Sequence, residues 1–102
     1  MRLTESERRF IAQAVAAEFG ADAPLLLFGS RTDDSLHGGD IDLFIDNGPK
    51  SADEVLARRL ALALRLHDGL GERKIDVVVH RAGGPDLPIH QHARQTGVRV
   101  WP

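Results

Sequence analysis

The chain has 102 residues, of which 42% are hydrophobic and 27% charged, a balance typical of a soluble protein that forms a single domain over residues 1–102. Its net charge of −2 argues against the strongly basic face that binds nucleic acid, but it leaves a nucleotide open as a small ligand. Without cysteine the chain can form neither a disulfide nor a thiolate zinc site. It also lacks a signal-peptide core and any long apolar run, so we expect a cytoplasmic protein with no membrane association.

A helix over residues 4–19 is the first predicted element. Thr4 followed by Glu7 has the spacing of a capping box, in which each side chain accepts a hydrogen bond from the other residue's backbone N–H. Apolar side chains repeat at four-residue intervals from Ile11, and Gly20 ends the pattern. One face of this helix should therefore lie against a core.

Two short strands follow, separated by a polar segment. The apolar run Leu25–Phe28 is typical of a buried strand, and residues 30–36 favour a short helix or turn. Residues 40–45 predict a second strand, with Asp40 and Asp42 on one face and apolar side chains on the other. The link between the two strands is short enough for an antiparallel pair.

Residues 52–68 predict a helix with too many leucines for one apolar stripe about 100° wide. We assign one stripe to the core, namely Leu56, Leu60 and Ala63. The other stripe should lie partly outside and consists of Val55, Leu62 and Leu66. Either the domain encloses this helix almost completely, or the second face docks a partner.

A third strand over residues 74–80 carries Asp76 on one face and apolar residues on the other. A short helix over residues 89–95 and an edge strand or packed tail over residues 98–101 complete the chain. Because a full helix joins the second and third strands, we expect those two strands to be parallel. The predicted fold class is α/β (α+β), a small mixed sheet flanked by helices.

The two histidines of the last helix are not expected to bind metal. His90 and His92 lie two residues apart on the last helix, where their rings point roughly 200° apart, a poor arrangement for chelation. His80 shares its strand face with Asp76 and could border a site there.

Three carboxylates and a Gly-Ser turn form the candidate site. Asp40 and Asp42 share a strand face, and Asp76 lies on a second strand. Carboxylates that lie side by side repel one another and are costly to hold together unless a cation lies between them. Gly29-Ser30 ends the first strand, where a missing Cβ and a capped helix start favour phosphate. The pattern predicts a metal and phosphate site.

These residues resemble a known family. Gly29-Ser30, then Asp40-Ile41-Asp42, then a later strand with Asp76 is similar to the nucleotidyltransferase superfamily that includes DNA polymerase β. The short length and the C-terminal residues 93–98 are similar to its minimal (MNT) branch, which commonly pairs with a separate HEPN-type helical protein. Gly39, where a serine is frequent, is a small departure. The resemblance covers nearly the whole chain and implies a polymerase-β-like core.

The resemblance implies an enzyme that transfers a nucleoside monophosphate, AMP from ATP, to an acceptor hydroxyl. Asp40 and Asp42 would bind two Mg²⁺ ions, a cation suited to carboxylate and phosphate oxygens. Asp76 would complete one metal site and accept the proton of the acceptor. The triphosphate would be held by Gly29, Ser30 and Arg31.

The acceptor and the protein partner stay open at this point. The acceptor could be a protein side chain, a small molecule or an RNA end, because a family's fold does not choose its substrate. The partner would be a HEPN-type protein or further copies of this chain. In a toxin-antitoxin pair whose antitoxin is this chain, the toxin could be both the HEPN-type partner and the acceptor that the chain adenylylates. The alternative is a non-catalytic antitoxin or nucleotide-binding partner subunit of a HEPN-type protein.

Overall fold

The computed structural model describes residues 3–28, 41–71 and 73–101. Over these ranges the elements are α1 (Glu5–Phe19), β1 (Leu25–Phe28), β2 (Ile41–Gly48), α2 (Ala52–Leu70), β3 (Ile75–Arg81), α3 (Pro88–Thr96) and β4 (Val98–Arg99). Within the same ranges, none of the helices combines the length and the hydropathy that crossing a bilayer requires.

The predicted capping box of α1 is confirmed. Thr4 Oγ1 accepts a hydrogen bond from the Glu7 amide at 3.1 Å, and Glu7 Oε1 accepts one from the Thr4 amide at 2.8 Å. At the other end, Gly20 adopts φ +98°, a backbone conformation that side-chain-bearing residues rarely adopt. The local sequence therefore sets both ends of α1.

The four strands form one mixed sheet in the order β3-β2-β1-β4. β1 is antiparallel to both β2 and β4, whereas β2 and β3 are parallel and are joined through α2. Both predicted pairings are thus confirmed, and so is the predicted fold class. A short link permits the antiparallel pair, while a parallel pair needs a crossover of helix length.

The sheet separates two apolar layers. One face packs against α1 and α2 and holds the larger core, which includes Ile11, Leu27, Leu43 and Leu62. The other face packs against α3 through a smaller cluster of Phe28, Phe44 and Ala93, with Leu26 and Val78 at its margin. Alternate residues of each strand belong to different layers, as strand geometry requires.

The orientation predicted for α2 is wrong. Leu62 and Leu66 are fully buried, whereas Leu56 is 50% exposed and Leu60 57% exposed. Leu64 is the most exposed of the helix leucines, at 73%. The chain has two apolar stripes on this helix, and the stripe that we assigned to the outside is the one against the sheet. The exposed stripe is Leu56, Leu60 and Leu64, at four-residue intervals along one face.

Candidate functional site

One row of residues crosses the sheet at the end where β1 finishes. Phe28, the last residue of β1, is the register partner of Asp42, and Asp42 is in turn the partner of Asp76 on β3. The two carboxylates predicted on separate strands are therefore direct neighbours. Adjacent strands lie about 4.8 Å apart, so the side chains of such partners stand next to each other.

Asp42 and Asp76 share the sheet face that is opposite α1 and α2. Their chain neighbours Ile41, Leu43 and Ile75 belong to or pack against the larger core, so the two aspartates project to the other side. Asp42 is half-buried and Asp76 is exposed. Two carboxylates side by side at a partly wet sheet surface repel each other, and a divalent cation bound to their oxygens would remove that repulsion.

The other predicted site residues lie outside the described residues. They are Gly29, Ser30, Arg31 and Asp40. Their described neighbours, Phe28 and Ile41, lie at the same end of the sheet. Phe28 directly precedes Gly29 and faces Asp42, while Ile41 directly follows Asp40 and its amide donates to the Lys74 carbonyl at 2.9 Å. Both strand ends that adjoin this segment thus lie in or beside the row that carries Asp42 and Asp76.

Helix α3 packs on the same sheet face, against Phe28 and Phe44. Ala93 is buried against Phe28 and Phe44, and the exposed His92 ring meets the Phe28 ring edge-on with centroids 6.4 Å apart. The buried His90 ring lies 5.8 Å from Phe44. The two histidines therefore contact different strands, which agrees with their predicted divergence on the helix.

A second polar cluster, which sequence reasoning missed, lies on this face at the far end of β2 and β3. Asp46 accepts hydrogen bonds from His80 Nδ1 at 2.8 Å and from Arg94 Nε at 2.9 Å. Arg94 also donates to Asp86 at 2.6 Å, and His80 Nε2 lies 3.2 Å from the Gly84 carbonyl. Arg94 and Asp46 are 48 residues apart in the chain, so only the fold could bring them together.

This cluster stabilises its own charges. Hydrogen bonds from Arg94 and then from His80 lower the pKa of Asp46 from 3.8 to about 2, although burial opposes the change. Arg94 likewise lowers the pKa of Asp86, and the two carboxylates raise the pKa of Arg94. A guanidinium between two carboxylates is a stable arrangement that joins α3 to β2 and to the loop before α3.

His80, Asp86 and His90 place their ligand atoms within 4.8 Å of one another, which is close enough to consider a metal site. The hydrogen bonds argue against it. His90 Nδ1 accepts the Leu87 amide at 3.0 Å, so the neutral ring carries its proton on Nε2 and offers no free lone pair to a metal. Arg94 occupies the Asp86 carboxylate and places a positive charge where a cation would bind. We therefore assign this cluster a structural role.

Comparison with protein-family profiles gives no match, and neither does comparison with curated proteins. The chain is similar in structure to a solved protein described as "Crystal structure of the toxin-antitoxin with AMP-PNP". The TM-score is 0.69 at 21% sequence identity, and the alignment covers 97% of this chain and 73% of the other. A likeness at this identity shows a shared fold.

Proposed function

We propose that this protein is a Mg²⁺-dependent nucleotidyltransferase that transfers AMP from ATP to an acceptor hydroxyl. The observation that carries the proposal is the pairing of Asp42 with Asp76 in one row of the sheet, at the end of β1 that leads into Gly29-Ser30. The structural neighbour was crystallised with AMP-PNP, an ATP analogue, which supports ATP as the nucleotide.

The residues at the row fit the proposed cation. Asp42 and Asp76 supply carboxylate oxygens, the ligands that Mg²⁺ prefers, and we assign Asp40 to the same site from its place two residues before Asp42. When bound, Mg²⁺ would neutralise negative charge on the phosphates of ATP. We assign the triphosphate contacts to the residues that follow β1, namely Gly29, Ser30 and Arg31.

The acceptor oxygen attacks the α-phosphorus of ATP, the bond between that phosphorus and the bridging oxygen to the β-phosphate breaks, and pyrophosphate leaves with the electron pair. Asp76 takes the proton of the acceptor hydroxyl and returns it to solvent. Asp76 is exposed, so it is accessible for that role.

The partner that we propose is a HEPN-type toxin, which the chain would adenylylate. The solved protein reported above is described as a toxin-antitoxin with AMP-PNP, and this supports a toxin as the partner. Modification of a toxin hydroxyl would add a bulky, negatively charged group to the toxin surface and so alter what that surface can bind.

Removal of one carboxylate tests the enzyme. With ATP labelled on the α-phosphate, Asp42→Asn should lower transfer at least about 100-fold, or about 2.7 kcal/mol of transition-state stabilisation. The variant should still fold, because Asp42 is only half-buried and lies outside the apolar clusters, and a circular dichroism spectrum checks this. The control is Asp22→Asn, an exposed residue before β1 at the opposite end of that strand. Full activity in the Asp42 variant would refute the assignment.

A second candidate function is a non-catalytic antitoxin that acts by binding its partner. The exposed stripe on α2 favours it, since large apolar side chains at four-residue spacing are typical of helix docking. Leu56→Glu with Leu64→Glu should then release a co-purifying toxin while ATP binding is retained. Leu87→Glu, an exposed leucine before α3, is the matched control. A complex that survives the paired change would show that the stripe is not the interface.

A further inference from the structure

Strand β3 is an edge of the described sheet, since its neighbour on one side is β2 and the order ends there. The Ile41 amide donates to the Lys74 carbonyl, which fixes the phase of the parallel ladder. In such a ladder alternate residues bond to the neighbouring strand, so Asp76 and Val78 turn their backbone groups towards β2. Ile75, Val77 and Val79 turn theirs outwards, and an outward row of N–H and C=O groups is a template for another strand.

A cleft of about 400 Å³ runs beside this edge, between β3 and α2. Its α2 side consists of Arg59, Leu60 and Ala63, and its sheet side is the stretch 75–78. A strand added to β3 would place every second side chain in this cleft and the intervening ones on the face of Asp76. The cleft and the outward backbone therefore suit the same extended ligand.

The charge beside the edge selects among extended ligands. Arg59 on the cleft and Lys74 at the start of β3 are both exposed. Neither forms an ion pair within the described ranges, in contrast to Arg58, which pairs with Glu54 at 2.7 Å. Within the described residues, these two cations outnumber Asp76, the exposed acid of the stretch 75–78, and so favour an acidic segment at this edge.

We propose that the acceptor of the nucleotidyl transfer is a serine, threonine or tyrosine hydroxyl in an acidic, extended protein segment that pairs with the outer edge of β3. The inference rests on the proposed function and names its substrate class. A residue of the added strand opposite Asp76 would have its Cβ about 5 Å from that of Asp76, on the same face. Strand pairing thus presents the hydroxyl to the carboxylate that takes its proton.

In the transfer that this docking permits, the peptide hydroxyl oxygen bonds to the α-phosphorus of ATP as the bond to the pyrophosphate leaving group breaks. The hydroxyl proton passes to Asp76, and the product is a phosphodiester between the side chain and AMP. The strand edge contributes position only, since its backbone groups hold the segment and touch none of the reacting atoms.

The test is an array of immobilised nine-residue peptides with a central serine, threonine or tyrosine between alternating apolar residues and either glutamates or lysines. The array is probed with the full chain, Mg²⁺ and ATP labelled on the α-phosphate, and both bound protein and transferred label are measured. Val77→Pro removes an outward N–H and leaves the ladder to β2 intact. Arg59→Glu reverses the cleft charge on an exposed helix position, and Arg99→Glu on β4 is its control at the opposite edge.

We expect the glutamate peptides to retain the protein, and Val77→Pro to reduce that retention roughly 5- to 10-fold, the effect of one net hydrogen bond. Arg59→Glu should reduce it for glutamate peptides, and Arg99→Glu should not. The inference is overturned if retention is the same for glutamate and lysine peptides and is unchanged in Val77→Pro and Arg59→Glu. It is also overturned if label appears on an RNA 3′ end and on none of the peptides. Self-association through β3, with no peptide bound, also overturns it. Retention that depends on Val77 and Arg59 in a protein that transfers no label supports the docking and refutes the proposed function.

Discussion

Replacement of Leu62 by alanine should destabilise the protein severely, whereas the same replacement at Leu64, two residues along α2, should have almost no effect. Leu62 is fully buried in the core between α2 and the sheet, and Leu64 is 73% exposed. Truncation of a buried leucine costs about 2–5 kcal/mol, because the lost transfer free energy is joined by the cost of a cavity. An exposed leucine has little of either cost, and its change should stay within about 0.5 kcal/mol.

The measurement is urea and thermal unfolding of both variants beside the wild type. For a domain of this size, 1 kcal/mol lowers the thermal midpoint by about 4–8 °C, so Leu62→Ala should lower it by at least about 10 °C. A total stability of about 5–15 kcal/mol makes such a loss visible without abolishing folding in every case. Equal losses at the two positions, or a larger loss at Leu64, would refute the orientation of α2 and with it the exposed stripe.

Two further predictions concern the ends of the sheet and of α1. Asp46→Asn should cost on the order of 2 kcal/mol of unfolding free energy at pH 7, because the depression of the Asp46 pKa from 3.8 to about 2 measures how strongly Arg94 and His80 stabilise its charge. Because the pKa of Asp46 is lower in the folded protein, this contribution to stability is present above pH 4 and lost as the pH falls towards 2. The unfolding free energies of the wild type and the variant, measured by urea titration, should therefore become equal near pH 2. A difference in unfolding free energy that does not change with pH would contradict the reasoning. Thr4→Ala should lower the unfolding free energy by about 1 kcal/mol, because it removes the side-chain cap of α1. Thr4→Ser retains a capping hydroxyl, so its melting temperature should lie close to that of the wild type.

Over the described residues, local patterns were sufficient to predict the helices and strands. Thr4 and Glu7 marked the start of α1 because a capping box involves only neighbours in sequence. The alternation around Asp42 and Asp76 separated a core face from a polar face because side chains of a strand alternate regardless of its partner. The apolar residues beside them, such as Ile41 and Leu43, are fully buried as that alternation predicts.

The sequence predicted the relative direction of the strands but not which residues would be paired across them. The helix between β2 and β3 predicted a parallel pair, but it did not specify that Asp42 would lie opposite Asp76. That pairing depends on how far α2 shifts one strand against the other, and so on the packing of Leu62 and Leu66. The metal assignment of the pair stays a prediction, as do the roles of Gly29, Ser30, Arg31 and Asp40.

By itself the sequence determined the helices and strands of the described residues, the capped start of α1 and the two-faced strands, since these depend on residues within a few positions of one another. The ends of β2 and α2 were predicted two or three residues short. The tertiary structure alone decided which stripe of α2 is buried, because both stripes carry leucines and only packing against the sheet distinguishes them. It also decided that Arg94 would join Asp46, because an ion pair between residues 48 positions apart leaves no periodic trace in the sequence.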